Sequence, residues 1–236
     1  MPNYKISLRN VSRSFYSPKG QKIQAIHDIN FEVEDAFAPD GRDIGEFRVL
    51  LGPSGCGKST ILRLIAGLDQ PDGGEILVSG KRVAEPSRDR GMVFQKYTSF
   101  PWLTVEDNVG YGLKINGVSK AERDKTVAKL IQDVGLAGFE KSYPDTLSGG
   151  MQQRVAIART LALRPSVILM DEPFGALDAQ TRSDMQELLL KIWDESASTI
   201  LFVTHDVDEA VYLGHEKDGA GGLVPDLQQQ HPFRDP

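Results

Sequence analysis

Gly52-Pro53-Ser54-Gly55-Cys56-Gly57-Lys58-Ser59-Thr60 is the stretch that decides the fold of this chain. The apolar run 47–51 precedes it and the apolar stretch 61–66 follows it, which predicts a strand, a glycine-rich loop and a helix in that order. The glycines let consecutive backbone N–H groups converge on a polyphosphate, and the helix N-terminus adds a partial positive charge. We therefore predict a phosphate-binding loop in which Lys58 reaches the terminal phosphates and the Ser59 hydroxyl binds Mg²⁺.

Length, charge and cysteine content narrow the class of protein. The chain has 236 residues and a net charge of −6 with dispersed basic residues, so we expect no nucleic-acid partner. No apolar run approaches the roughly 20 residues of a membrane helix, and the N-terminus lacks the apolar segment of a secretory signal. Cys56 is the only cysteine, which excludes an internal disulfide and fits a reducing compartment.

Apolar patterning predicts an α/β domain. Alternating residues predict two strands near the N-terminus, around 6–11 and 26–33, joined by a turn at 17–20. The stretch 35–45 is expected to be a surface excursion. Further strands are expected at 75–79, 91–94, 167–170 and 199–204, and the continuous apolar run 167–170 is typical of a strand covered on both faces.

The pattern changes to helices between the strands at 91–94 and 167–170. Ser119 and Glu122 form a capping box, and Gly135 is placed to end the helix that follows. The apolar side chains of this helix share one face: Val127, Leu130, Ile131 and Val134. We therefore expect a helical subdomain from about residue 96 to 164, inserted into the parallel sheet.

Polar residues follow separate predicted strands, where ligands bind in open α/β sheets. Asp171 is the expected carboxylate on the metal side, and Gln95 can offer its amide oxygen to the same ion. Glu172 is the expected general base, while His205 either binds the terminal phosphate or orients Glu172. Each residue alone has an ordinary structural reading, such as a helix cap for the carboxylate pair. Together with the phosphate loop they predict a phosphoryl-transfer site.

The stretch Leu147-Ser148-Gly149-Gly150-Met151-Gln152-Gln153-Arg154 predicts a second helix N-terminus that can bind an anion. One nucleotide bound to one chain would not need two anion-binding helix N-termini from that chain. Two chains arranged head to tail would use both, with the phosphate loop of each opposite the serine-glycine helix of the other.

These motifs resemble the ATP-binding subunit of ABC transporters over about residues 4–213. The stretch 147–154 is similar to the signature sequence of that family, and 167–172 is similar to its Walker B strand with the catalytic glutamate. Gln95 matches the Q-loop, His205 the switch histidine, and Gly175-Ala176-Leu177-Asp178 the D-loop. The resemblance implies a P-loop NTPase with a mostly parallel central sheet, N-terminal antiparallel strands and an inserted helical subdomain.

The resemblance also assigns roles to individual residues. The implied catalytic residues are Glu172, His205, Lys58 and Gln95, and the implied ligands of Mg²⁺ are Ser59, Gln95 and Asp171. Phe15 corresponds to the aromatic residue that stacks on adenine, with Tyr16 as the alternative. The other residues implied to bind ATP are Gly52, Pro53, Ser54, Gly55, Cys56, Gly57, Lys58, Ser59 and Thr60. The residues implied to face the ATP of the partner subunit are Leu147, Ser148, Gly149, Gly150, Met151 and Gln152, with Asp178 in the D-loop.

Two further stretches, 100–105 and 171–182, resemble the subgroup that energises importers of nitrate, sulfonates and taurine. This implies a second ATP-binding subunit, either a copy or a close homologue, and transmembrane permease subunits, with an extracytoplasmic solute-binding protein acting indirectly. It also implies a peripheral location on the cytoplasmic face of the cell membrane. Tyr97, Phe100 and Trp102 are candidate permease contacts, and packing within the helical subdomain is their alternative reading.

The C-terminal stretch departs from the family pattern. Residues 1–213 are expected to form the ATP-binding domain, whereas 214–236 is rich in Gly, Pro and Gln and is expected to be disordered. A shifted reading frame, a truncation and genuine divergence each explain this, and the altered end leaves open a nucleotide-binding module with impaired turnover. A DNA-maintenance ATPase is disfavoured because no long coiled coil fits between Thr60 and Leu147.

Overall fold

The computed structural model describes residues 4–35, 44–96 and 98–214. Most of the predicted excursion at 35–45, the candidate contact Tyr97 and nearly all of the predicted tail at 214–236 lie outside these ranges. The division at residue 213 and the disorder of the tail therefore stay predictions.

The described residues form strands and helices in an α/β order. The strands are β1 Tyr4–Tyr16, β2 Lys22–Glu34, β3 Phe47–Leu51, β4 Gly73–Val78, β5 Lys81–Arg82, β6 Arg90–Val93, β7 Val167–Asp171 and β8 Thr199–Thr204. The helices are α1 Lys58–Ala66, α2 Val105–Ile115, α3 Lys120–Asp133, α4 Gly149–Leu161, α5 Ala179–Glu195 and α6 Val207–Gly214, with a 3₁₀ turn at Pro144–Thr146.

A four-stranded sheet of order β3-β8-β7-β6 forms the centre, and its neighbouring strands pair in parallel. The central strands β7 and β8 are nearly continuous apolar runs, because both of their faces are covered. One face packs against α4, α5 and α6, where Phe174, Phe202 and Met185 are fully buried. The parallel pairing brings the carboxyl ends of β3, β8, β7 and β6 to one edge, which is where the polar motifs were predicted.

The N-terminal strands form a second, antiparallel sheet of order β2-β1-β4-β5. Ser17 and Gly20 close the turn between β1 and β2 as predicted, with Gly20 N donating to Ser17 O at 2.8 Å. Helix α1 lies between the two sheets, since its apolar side chains share one cluster with residues of both. The two-residue strand β5 was not predicted, because both of its residues are exposed and carry no apolar signal.

Helices α2, α3 and α4 follow β6 and pack around their own apolar cluster. The Ser119 hydroxyl accepts a hydrogen bond from Glu122 N at 3.3 Å, and Gly135 adopts a φ of 68° after the last turn of α3. The predicted change from strands to helices is confirmed, whereas the subdomain bounds at 96 and 164 stay a prediction. Within the ranges that the structure describes, no helix has the length and hydropathy needed to cross a bilayer.

Candidate active site

The loop 52–57 connects β3 to α1 and holds the lysine side chain inside its curve. Gly57 has a φ of 100°, and a Cβ atom there would lie 2.6 Å from Ile26 Cγ2 and 2.8 Å from the Ala25 carbonyl oxygen. Only glycine fits this close approach of the loop to β2. Lys58 is buried, and its Nζ donates to Gly52 O at 2.6 Å and Pro53 O at 2.8 Å. The ammonium group is therefore presented at the centre of the loop, where a phosphate can take over its hydrogen bonds.

Ser59 and Asp171 meet at the start of α1 and the end of β7. Ser59 Oγ donates to Asp171 Oδ1 at 2.8 Å. Burial raises the pKa of Asp171, and the hydrogen bond from Ser59 partly opposes this shift. A hydroxyl and one carboxylate are oxygen donors of the kind that Mg²⁺ accepts when phosphate and water oxygens complete its shell. Among the described residues no group of three or more His, Cys, Asp or Glu side chains could hold a metal ion alone, so phosphate oxygens would be needed.

Three of the predicted site residues lie next to the carboxylate of Glu172. Its Oε2 accepts from Gln95 Nε2 at 3.3 Å and lies 3.0 Å from His205 Nδ1, while its Oε1 lies 3.8 Å from Lys58 Nζ. Its backbone adopts a φ of 44°, a left-handed conformation that costs a non-glycine residue roughly 1–2 kcal/mol. Strain of this kind is concentrated at functional sites, where it directs a side chain. His205 contacts Glu172, which agrees with one of its two predicted roles, and both roles stay predictions.

The aromatic pair lies at the end of the β1–β2 hairpin. Phe15 is 36% exposed and Tyr16 is 73% exposed. The guanidinium of Arg13 lies 4.9 Å from the centre of the Phe15 ring, and Asp72 Oδ1 accepts from Arg13 at 2.9 Å. Arg13 of β1 lies opposite Ile26 of β2 in the hairpin, and the Ile26 side chain lies beside Gly57. The end of the hairpin is therefore close to the phosphate loop. Arg13 thereby supports one face of the Phe15 ring.

The serine-glycine stretch opens α4 as predicted. Ser148 is exposed, and its Oγ accepts from Met151 N at 3.3 Å. A Cβ at Gly150 would lie 2.5 Å from Thr181 Cγ2, so this glycine allows α4 to approach α5. Asp178 caps α5 in the same way, with Oδ1 accepting from Thr181 N at 3.1 Å.

The structure thus brings together part of the predicted set. The residues whose side chains meet at the carboxyl edge of the parallel sheet are Lys58, Ser59, Gln95, Asp171, Glu172 and His205. Among the described residues, no hydrogen bond or ion pair joins the stretch 147–152 to the loop 52–60. This separation is what the head-to-tail arrangement of two chains requires.

Four residues with contacts near the site were not predicted. Arg13 and Asp72 support Phe15, and Arg182 lies 3.3 Å from Asp206 between α5 and the start of α6. Asp72 lies in a turn and Asp206 directly precedes α6, which are positions where an aspartate is common. The sequence carried no signal for either pair, because the partners lie 59 and 24 residues apart.

Comparison with known proteins identifies the family. The family model described as ABC transporter matches residues 43–175, which include the phosphate loop, Gln95, the stretch 147–154 and Glu172. The chain belongs to the ABC transporter family. An uncharacterized ABC transporter ATP-binding protein of Methanocaldococcus jannaschii is 53% identical over 209 residues, which cover 89% of this chain and 74% of that protein.

Two curated relatives of this ABC chain have named import roles. The aliphatic sulfonates import ATP-binding protein of Bacillus anthracis is 49% identical and the match covers 89% of this chain and 78% of that protein. The nitrate import ATP-binding protein of Synechocystis sp. is 50% identical, with 88% and 74% covered.

A solved ABC cassette has the same fold. A dimeric cassette in a post-hydrolysis state, bound to ADP and Pi, superposes with a TM-score of 0.74 at 33% identity, covering 88% of this chain and 90% of that one. The predicted fold class, the ABC membership and the prediction of an ATPase are confirmed. The individual roles of the site residues stay predictions.

Proposed function

We propose that this chain is the ATP-hydrolysing subunit of an importer that takes up a small anion such as nitrate, a sulfonate or taurine. The observation that carries the hydrolytic role is the environment of Glu172, which contacts Gln95 and His205 and lies 3.8 Å from Lys58. The choice of solute is supported by the sulfonate and nitrate import roles of two relatives.

ATP enters with its phosphates in the loop 52–57, where Lys58 transfers its hydrogen bonds from two loop carbonyls to phosphate oxygens. Ser59 and Asp171 would hold Mg²⁺, which neutralises phosphate charge when bound. Glu172 accepts a proton from the attacking water, and His205 holds the Glu172 carboxylate in place. Phe15 stacks on the adenine from the face opposite Arg13.

A second ATP-binding subunit completes each site in this proposal. Ser148 is exposed at the start of α4, and no hydrogen bond or ion pair of the described residues connects it to the phosphate loop. The dimeric arrangement of the solved cassette supports this assembly. The partner is a second copy or a close homologue, and Ser148 of each chain faces the phosphates held by the other.

Transmembrane permease subunits are the second class of partner, and an extracytoplasmic solute-binding protein acts through them. Trp102 is 70% exposed and packs against Phe100 at 5.5 Å between ring centres, and Phe100 also contacts Tyr111 at 4.7 Å. An exposed aromatic cluster after the Gln95 segment is suited to binding another protein. The chain is proposed to lie on the cytoplasmic face of the cell membrane, without a nucleic-acid partner.

Reconstitution tests this proposal. The chain is purified with its permease in proteoliposomes, and uptake of labelled sulfonate, nitrate and taurine is measured with ATP and Mg²⁺ on the side of this chain. We expect ATP-dependent uptake of one of them, abolished in Glu172→Gln. If the wild-type chain binds ATP but releases phosphate no faster than the Glu172→Gln variant, it does not hydrolyse ATP. That result would support the alternative of a nucleotide-binding module with impaired turnover. Hydrolysis without uptake of any of the three would contradict the solute class.

A further inference from the structure

The side chain of Arg182 contacts two loops, and each of these loops contains a proposed site residue. Arg182 lies in the first turn of α5, and its Nη2 donates to the Leu177 carbonyl oxygen at 3.1 Å. Its Nη1 lies 3.3 Å from Asp206 Oδ2. Leu177 belongs to the loop that carries Asp178, and Asp206 directly follows His205.

Both ends of this connection are fixed by further hydrogen bonds. Asp206 Oδ1 accepts from Glu209 N at 3.1 Å and caps α6, and Asp206 N donates to Thr204 Oγ1 at 3.0 Å. One turn along α5 from Arg182, Gln186 Nε2 donates to Glu209 Oε1 at 3.2 Å. The N-terminal half of α5 and the start of α6 are therefore joined by two polar contacts.

The contacts of Arg182 complete a chain of hydrogen bonds and ion pairs that begins and ends at Glu172, the proposed general base. The loop after β7 folds back through hydrogen bonds from Gly175 N to Glu172 O at 3.2 Å and from Leu177 N to Phe174 O at 3.1 Å. Arg182 joins this loop to Asp206, and His205 next to it returns to Glu172 at 3.0 Å. Arg182 therefore connects the loop 175–178 to the residue next to His205 by side-chain contacts.

We propose that Arg182 is a positioning residue that couples the loop carrying Asp178 to the His205–Glu172 pair. The inference rests on the proposed hydrolytic role of Glu172 and on the proposed second copy, which faces that loop. Arg182 keeps His205 against the Glu172 carboxylate, and contact of the second copy with the loop 175–178 acts on the general base through the same connection. Arg182 does not contact the nucleotide itself.

The contacts separate this role from that of an ordinary surface ion pair. An exposed pair contributes little and needs only a charge on each side. Arg182 is 31% exposed, uses different nitrogens for the two loops, and buries an Nε atom that has no hydrogen-bond partner. A lysine carries the charge but lacks the planar fork that reaches both acceptors.

Kinetics of the complex with its permease provide the first test, on Arg182→Lys, Arg182→Ala, Asp206→Asn and the double variant Arg182→Ala/Asp206→Asn. Asparagine keeps the cap of α6. We expect kcat to fall about tenfold or more in each, because a small misplacement of a catalytic group is costly. The KM for ATP and ATP binding by the chain alone should stay within about twofold of the wild-type values.

The kcat of the double variant should fall no further than that of the single variants, because the two residues act as one unit. Lys191→Ala removes an exposed cation from the same helix and should match the wild type.

The ring ¹⁵N resonances of His205 give a readout that does not depend on turnover. They are assigned with His205→Gln and recorded at one pH, and we expect them to shift in Arg182→Ala and Arg182→Lys but not in Lys191→Ala. Full kcat in Arg182→Lys, or His205 resonances unchanged in both Arg182 variants, would overturn the inference. A loss of ATP binding parallel to that of kcat would show a merely structural role and would also overturn it. A wild-type complex without hydrolysis would instead overturn the proposed function, while the resonances still test the coupling.

Discussion

Ser59 Oγ donates a hydrogen bond of 2.8 Å to Asp171 Oδ1, which joins the first turn of α1 to the end of β7. The two residues lie 112 positions apart and become neighbours because β3 and β7 both pair in parallel with β8. A hydroxyl and a carboxylate are held side by side at the carboxyl edge of the sheet, next to the buried Lys58. The placement of these oxygens is the basis for the proposed Mg²⁺ site.

Ser59→Ala is expected to weaken the use of Mg²⁺. The change removes a proposed oxygen ligand of Mg²⁺ and leaves the Asp171 carboxylate without its hydrogen bond. We expect the Mg²⁺ concentration for half-maximal ATP hydrolysis to rise on the order of tenfold or more. Phosphate release measured across a series of free Mg²⁺ concentrations checks this. Ser59→Thr keeps the hydroxyl and is the matched control, and an unchanged Mg²⁺ requirement in Ser59→Ala would refute the assignment.

Glu172→Gln is expected to slow ATP hydrolysis by roughly 10²- to 10⁴-fold, as for the loss of a general base. Glutamine has nearly the same shape, so the contacts of Gln95 and His205 at this position can persist. ATP binding should therefore be retained, and single-turnover hydrolysis together with nucleotide binding measures the two effects separately.

Glu187→Gln is the control for Glu172→Gln, because Glu187 is an exposed glutamate on α5. It should hydrolyse ATP at the wild-type rate. Hydrolysis by Glu172→Gln at that same rate would show that another group accepts the proton.

The phosphate loop, the capped helices and the apolar strands could be predicted because their signals are local. Glycine spacing, a serine before Glu122 and the run 167–170 each act within a few residues of the chain. The contact of His205 with Glu172 could be anticipated only as one of two alternatives, since it depends on the left-handed backbone at Glu172. The bridge from Arg182 to Asp206 could not be predicted, because only the packing of α5 beside α6 brings these residues together.

Phe15→Ala is expected to weaken ATP binding about tenfold, because stacking of a base on an aromatic ring is worth roughly 1–3 kcal/mol. Asp72→Asn should weaken it less, since it loosens the Arg13 side chain that supports the Phe15 ring. Titration with ATP by calorimetry measures both effects. Tyr16→Ala is the control and should bind as the wild type does. Weak binding by Tyr16→Ala with normal binding by Phe15→Ala would transfer the adenine contact to Tyr16.

Glu209 makes the stability of the chain depend on pH. The side chain lies in α6 and the residue is only 6% exposed. Burial raises its pKa above the ordinary value of 4.5, against the opposing effect of hydrogen bonds from Thr204 and Gln186. The folded chain therefore binds more protons than the unfolded chain between the two pKa values, and the free energy of unfolding falls as the pH rises through this window. The unfavourable contribution is complete above the folded-state pKa.

Glu209→Gln removes the titrating group and keeps an acceptor for Gln186. We expect the variant to gain stability relative to the wild type as the pH rises from about 4.5 towards neutrality, because only the wild type then buries a charge. Urea unfolding of both proteins at a series of pH values measures this difference in the free energy of unfolding. A difference that stays constant, or that shrinks as the pH rises, would show that burial does not govern the ionisation of Glu209.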